Sequence, residues 1–252
     1  MTQTTVSPWP DEYQGAISLT FDDGMQSQLD VAIPILNEYN LRGTFYINPR
    51  GDDWQERLAP WREVALSSHE VGNHTVNHPC SRNFSFSKDA KGLETMTLAD
   101  VEADIVEASR RLRLLIPEQE DLTFCYPCYH DYVGEGPTRQ SYVPIVAKYF
   151  PAARGRGEVA NNPLLVDLHY LWSWPAERMS GPELVGLAER TVSQGQWGIL
   201  TFHGIQQGHL SVADVDFREL CVFLARNRER IWVAPVVTVA RYITEWRKGQ
   251  ER

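Results

Sequence analysis

Two adjacent carboxylates, Asp22 and Asp23, follow the run "AISLTF" (16–21), and Gly24 comes next. The run is apolar and reads as a buried strand. Like charges side by side repel, and a buried strand end is a costly place for them. An Asp-Gly turn accounts for Asp23 and Gly24. It leaves the second acid, Asp22, unexplained.

Two histidines, His74 and His78, sit in "VGNHTVNHP" at a spacing of i, i+4. One helical turn puts such a pair on the same side, where both imidazoles can hold one metal ion. With Asp23 they form a set of two histidines and one carboxylate. That set leaves open positions for water and substrate, the pattern of a catalytic rather than a structural metal. His203 ends "GILTFH"; in isolation it reads as a satisfied core histidine. His69 reads as structural, and His130, His169 and His209 have no partner visible in the sequence.

The elements that must position these residues alternate between strand-like and helix-like. Strands are expected at 16–21, 42–47, 122–127 and 197–204, and a short one precedes a closing helix in "IWVAPVVTVARYITEW". Helices are expected at 29–40, 54–68, 97–116, 180–195 and 211–228. Thr97 with Asp100, and Ser180 with Glu183, stand in capping-box positions, and Ser211 and Asp214 are expected to cap the 211–228 helix. The alternation predicts an α/β protein with a mainly parallel sheet in a single domain, 1–252. If the strands are parallel, Asp22, Asp23, His74, His78 and His203 converge on one rim. The stretches 79–96 and 128–141 read as loops beside that rim.

The 252 residues carry a net charge of −9 and are 42% hydrophobic. A basic face for nucleic acid or an anionic membrane is not expected. No apolar run is long enough for a membrane span. The first fifteen residues do not read as a signal peptide, so a cytoplasmic protein is expected, or a secreted one whose signal has been removed. Four cysteines, Cys80, Cys125, Cys128 and Cys221, are too scattered for a disulfide scaffold. Cys125 and Cys128 form a lone C-x-x-C that reads as two small packing residues.

"TFDDG" followed by "HTVNHP" resembles the NodB-type polysaccharide deacetylases, carbohydrate esterase family 4, with similarity over about residues 14–243. The resemblance implies a distorted (β/α) barrel with mainly parallel strands. It also implies a divalent metal, most often Zn2+, with Co2+, Mn2+ or Ni2+ as alternatives. The implied activity is removal of acetyl groups from an acetylated oligo- or polysaccharide, with N-acetylated amino sugars the expected substrate. Asp22 matches the catalytic base, Asp23, His74 and His78 the metal ligands, and His203 the general acid. Substrate contacts are expected from Tyr126, Pro127 and Cys128, and from Trp172 and Trp174. The family's third motif has an Arg where this chain has Cys125, and an aromatic where it has Cys128. A thiol cannot replace the permanent charge of a guanidinium, and Arg154 or Arg156, in "AARGRGE", is expected to supply it. The alternatives are an amide or cyclic-imide hydrolase of the allantoinase-like branch, which shares the fold, and an inactive carbohydrate-binding protein.

Overall fold

The computed structural model describes residues 8–84 and 92–250. The centre of the 79–96 loop and the first seven residues lie outside them. One large sheet runs through the molecule, and every pairing within it is parallel. Its strands are β1 (Gly15–Asp22), β2 (Thr44–Ile47), β3 (Glu70–Asn73), β4 (Phe124–Cys125), β7 (Ala153–Arg154), β8 (Trp174–Pro175), β9 (Trp197–Phe202) and β10 (Ile231–Val233). The order is β7-β4-β3-β2-β1-β9-β8, with β10 also on β1. The segment leading into β8 touches β7 through Arg154 and Leu171, so the two ends of the sheet curl toward each other. This is the distorted parallel barrel that the resemblance implies. A separate antiparallel pair, β5 (Tyr132–Val133) with β6 (Gln140–Ser141), forms within the 128–141 stretch.

The helices are α1 (Ile33–Glu38), α2 (Trp54–Leu58), α3 (Pro60–Leu66), α4 (Leu98–Leu115), α5 (Val143–Tyr149), α6 (Gly181–Ser193), α7 (Asp214–Arg226) and α8 (Val236–Gln250). The helix expected at 54–68 is two helices, because Pro60 cannot donate the hydrogen bond that would continue the first. A turn of π-helix, Gln28–Ala32, precedes α1. Both expected capping boxes are present, at Thr97–Asp100 and Ser180–Glu183. Helix α7 differs: its N-cap is Ala213, with no side-chain cap. Asp214 instead lies in the first turn, where a carboxylate favours the helix dipole.

All eight residues of β1 are buried. Side chains alternate across a strand, so Leu19 and Phe21 share one face while Ser18, Thr20 and Asp22 share the other. On the first face Phe21 stacks on Phe45 and Phe202, with ring centroids 4.6 and 5.3 Å apart, and meets Phe217 of α7 edge-on. On the other face hydrogen bonds accompany the burial: Ser18 Oγ donates to the Ala234 carbonyl and Thr20 Oγ1 to that of Leu200. Asp22 is the last member of that polar row.

Buried Glu70, at the start of β3, accepts from Thr44 Oγ1, from Thr123 through its backbone and hydroxyl, and from Val237 N at the start of α8. The carboxylate thereby joins three strands to a helix N-terminus, where a negative charge is favourable. Burial still pushes its pKa up.

Candidate active site

Four strands end at the same rim and each delivers a polar residue there. β1 delivers Asp22 and, one residue on, Asp23. His74 follows β3, Arg154 ends β7, and His203 follows β9. A cavity of about 590 Å³ opens at this rim, lined among others by Asp22, Asp23, His74, His78, Cys128 and His203.

Asp23 and Gly24 turn away from β1 with φ of 73° and 60°. A Cβ on Gly24 would meet Ile47 Cγ2 at 3.0 Å, so the turn needs glycine at this point. The turn leaves Asp22 pointing inward and swings Asp23 toward the histidines. Nε2 of His78 lies 3.4 Å, and Nε2 of His74 3.7 Å, from Asp23 Oδ1. The ligand atoms of this trio all lie within 4.8 Å of one another. Nδ1 of His74 is 3.0 Å from the Cys125 carbonyl. A carbonyl only accepts, so Nδ1 carries the proton and Nε2 presents its lone pair to Asp23, the tautomer a metal ligand needs. Burial pushes His74 toward its neutral form against the pull of Asp22 and Asp23. Burial, with His74 beside it, pushes His78 down to about 4. Two neutral imidazoles and a carboxylate fit a divalent cation such as Zn2+.

The pair His74–His78 does not sit on a helix, as its spacing suggested. β3 ends at Asn73, and the chain then turns, with positive φ at Thr75 (61°) and His78 (52°). Side chains that the sequence reading overlooked hold this loop. Asn73 Oδ1 accepts from Thr75 N, Thr75 Oγ1 from His78 N, and Asp104 from both the backbone and side chain of Asn77. Asn48 Nδ2 donates to the carbonyls of His74 and Thr75. Asn and Thr in "GNHTVN" were the available signal, since both favour such local turns. Gln28 was also overlooked: its Nε2 donates to the Asp22 carbonyl at 2.6 Å and to that of His203 at 3.1 Å, tying two site strands together.

Asp22 is not part of the trio. It faces Arg154, which is fully buried, and Nη2 of Arg154 lies 2.5 and 2.6 Å from its two oxygens. Nη1 of Arg154 donates to Thr201 and Ser173, and the rings of Tyr46 and Tyr129 lie 5.3 and 5.6 Å from the guanidinium carbon. Burial alone would raise the Asp22 pKa, but Arg154, with His74 and His203, brings it below the usual carboxylate range. The structure therefore places a guanidinium where the resemblance left a gap, and it comes from Arg154. Arg156 is exposed and lines the cavity instead. Cys125 fills the space beside the ion pair, its thiol pushed well up by burial and so neutral.

Nε2 of His203 lies 4.0 Å from Asp23 Oδ2. His130 and His209, read as unpartnered, also line the cavity. His169 does not: its Nε2 faces the Phe150 carbonyl at 3.2 Å. The expected substrate contacts divide. Cys128 lines the cavity. Tyr126 and Pro127 are buried in the core instead, with Tyr126 Oη donating to the His169 carbonyl. Trp172 is half exposed but opens on a different cavity, of about 500 Å³, shared with Tyr170 and Asp167, and Trp174 packs against the core. Neither tryptophan walls the cavity around Asp22.

The C-x-x-C reading needs a correction as well. Cys128 is disulfide-bonded to Cys80, while Cys125 and Cys221 are free and buried. The partner is 48 residues away along the chain, which is why local spacing pointed to packing.

The sequence profile of the polysaccharide deacetylase family matches residues 11–132, the segment that carries "TFDDG", "HTVNHP" and "CYPC". That segment is similar to the polysaccharide deacetylases. A chitooligosaccharide deacetylase of Sinorhizobium fredii is 30% identical over 104 residues, 41% of this chain and 42% of that protein. The chain thus spans less than half of that relative. Similarity of fold extends much further. A structure from Mycobacterium smegmatis assigned to the polysaccharide deacetylases superposes with a TM-score of 0.64 at 15% identity, over 96% of this chain and 93% of that one. A CE4 family pseudoenzyme from Bacillus anthracis superposes with a TM-score of 0.56 at 12% identity, over 92% of this chain and 66% of that one. No helix among the described residues is long and apolar enough to cross a membrane.

Proposed function

We propose that this protein is a metal-dependent hydrolase that removes acetyl groups from an acetylated carbohydrate, with N-acetylated amino sugars as substrate. One observation carries the reading: a carboxylate outside the metal-ligand trio, Asp22, is held ionised by Arg154 in the cavity that also holds Asp23, His74, His78 and His203. Asp23, His74 and His78 would hold the divalent ion, which when bound supplies Lewis acidity toward the acetyl carbonyl. Asp22 accepts a proton from the attacking water. The backbone N–H of Cys128 donates to the oxygen of the carbonyl as it gains charge. His203 donates a proton to the departing nitrogen, or to oxygen if the acetyl is an ester.

The missing motif Arg was one argument for the allantoinase-like branch, and the Arg154–Asp22 pair weighs against it. The candidate base and acid both line the cavity, which speaks against an inactive binding protein. The Cys80–Cys128 disulfide favours an oxidising compartment over a reducing cytosol. The test is acetate release from chitooligosaccharides, acetylxylan and peptidoglycan, with metal content measured on the same sample. Activity that survives complete metal removal, or no acetate from any of the three, overturns the reading.

A further inference from the structure

The Cys80–Cys128 disulfide ties together two pieces of the site that are otherwise only weakly hydrogen-bonded to each other. Cys80 follows the metal-ligand candidate His78 by two residues, and its Sγ lies 3.5 Å from His78 Nδ1. Cys128 lies in the turn Pro127–Tyr129 after β4 and lines the cavity. Both Cys128 and the next residue, Tyr129, have left-handed backbones, with φ of 51° and 60°. Neither is glycine, so the conformation costs free energy at each and persists only where the surroundings over-determine it. Within the turn, Tyr129 N donates to the Tyr126 carbonyl and His130 N to that of Pro127. Those bonds close the turn but do not fix where it sits relative to the His78 loop. The Cys80–Cys128 bond does, and Ser81 N, donating to His130 Nδ1 at 3.3 Å, is a weaker second tie between the same two segments.

We propose that the Cys80–Cys128 disulfide is a positioning element for the reaction. It aims the Cys128 N–H at the acetyl oxygen by clamping that strained turn to the loop carrying His78. The proposal rests on the deacetylase reading above. Its consequence is an enzyme that a thiol-reducing agent slows while the fold remains intact. Reduction by a phosphine balances without further partners. The S–S bond breaks and two electrons pass from phosphorus to the sulfurs. Water gives its oxygen to the phosphorus and its two protons to the thiolates.

The experiment compares the oxidised protein, the protein reduced with a phosphine that is then removed by gel filtration, and Cys80→Ser, Cys128→Ser and the double variant. Thiols are counted in denaturant: two before reduction and four after. Loss of an oriented oxyanion donor lowers kcat by about 10²-fold, and the expected loss here is about 10- to 100-fold with KM changed less than about 3-fold. All three variants should fall to the level of the reduced protein and ignore the phosphine. Hydrogen exchange on the metal-free protein gives a readout independent of turnover. Amides in 78–81 and 126–130 should exchange faster after reduction, while those of β1 and β9 stay protected. Four thiols before reduction, or an unchanged kcat in the double variant, overturns the proposal. So does loss of protection in β1 and β9, which would make the bond a staple of the whole fold. If the oxidised protein releases no acetate, the functional reading fails, and the exchange data still decide whether the bond couples the two segments.

Discussion

Nη2 of Arg154 lies within 2.6 Å of both carboxylate oxygens of Asp22, across 132 positions of chain. The contact favours the ionised form of a buried acid. Burial by itself raises the Asp22 pKa, and the guanidinium, with His74 and His203, reverses that. Removing one partner of a buried pair leaves an uncompensated charge, which costs about 3–5 kcal/mol. Arg154→Met should therefore lose stability on that scale in urea titrations. Without Arg154 the Asp22 pKa rises, so the base is protonated at a higher pH and the acidic limb of the kcat/KM profile should move upward. Arg156→Met should leave the limb in place, because Arg156 is exposed and makes no contact with Asp22. A limb that stays put in Arg154→Met shows that Arg154 does not set the base.

The two adjacent acids should separate by function. Asp22→Asn keeps the trio Asp23, His74 and His78 and should retain the metal. It should lose activity by about 10²–10⁴-fold, because an amide cannot accept the proton of water. Asp23→Asn removes the carboxylate whose Oδ1 lies 3.4 and 3.7 Å from the two imidazoles and, on the proposed metal site, should weaken metal binding itself. His74→Ala with His78→Ala should hold no metal. Metal titrations on the three proteins check this, and metal lost from Asp22→Asn but kept by Asp23→Asn would reverse the roles.

What the sequence displayed, and what it hid, divides by the range of the interactions. The mainly parallel α/β sheet was legible because apolar runs alternate with capped, helix-period segments, whereas its closure into a distorted barrel was implied by the resemblance carried by "TFDDG" and "HTVNHP". Asp22, Asp23 and His203 stood out at the ends of apolar runs, and His74 and His78 through their i, i+4 spacing in "HTVNH". Arg154 was narrowed to two candidates, since "AARG" reads as a strand end, but only the fold shows which guanidinium is buried. The Cys80–Cys128 bond, the core position of Tyr126 and the outward placement of Trp172 depend on how distant segments pack. Nothing in local spacing encodes them.

Helix α4 carries Asp104, which holds the His74–His78 loop through Asn77, so the cap of α4 lies upstream of the site. Thr97 Oγ1 accepts from Asp100 N at 3.2 Å, and the Asp100 carboxylate accepts from Thr97 N at 2.8 Å. Thr97→Ala should cost about 1 kcal/mol in denaturant titrations, with m unchanged. A loss below a few tenths would show that the capping box contributes nothing here.

His69 supplies a pH dependence that is independent of the site. Its Nδ1 accepts from the Gly43 N–H at 3.1 Å and its Nε2 faces Asn37 Oδ1 at the same distance, so the neutral ring has both nitrogens paired. Protonating Nδ1 would set a second hydrogen against the Gly43 N–H. Burial, with the charge of Arg42, accordingly holds its pKa at about 4, against 6.5 for an exposed imidazole. A histidine with a lowered native pKa destabilises the fold as pH falls, because below 6.5 the unfolded chain binds a proton that the native state refuses. The loss should begin near pH 6.5, continue to about pH 4 and then level off, reaching about 3 kcal/mol in full. Urea titrations at pH 7.5 and pH 5 on wild type and His69→Gln isolate it from every other titrating group. The difference between the two proteins should shrink at the lower pH, since the variant has no such proton to exclude. If the two stability curves run parallel between those values, His69 is not excluded from protonation in the native state and the buried neutral tautomer is wrong.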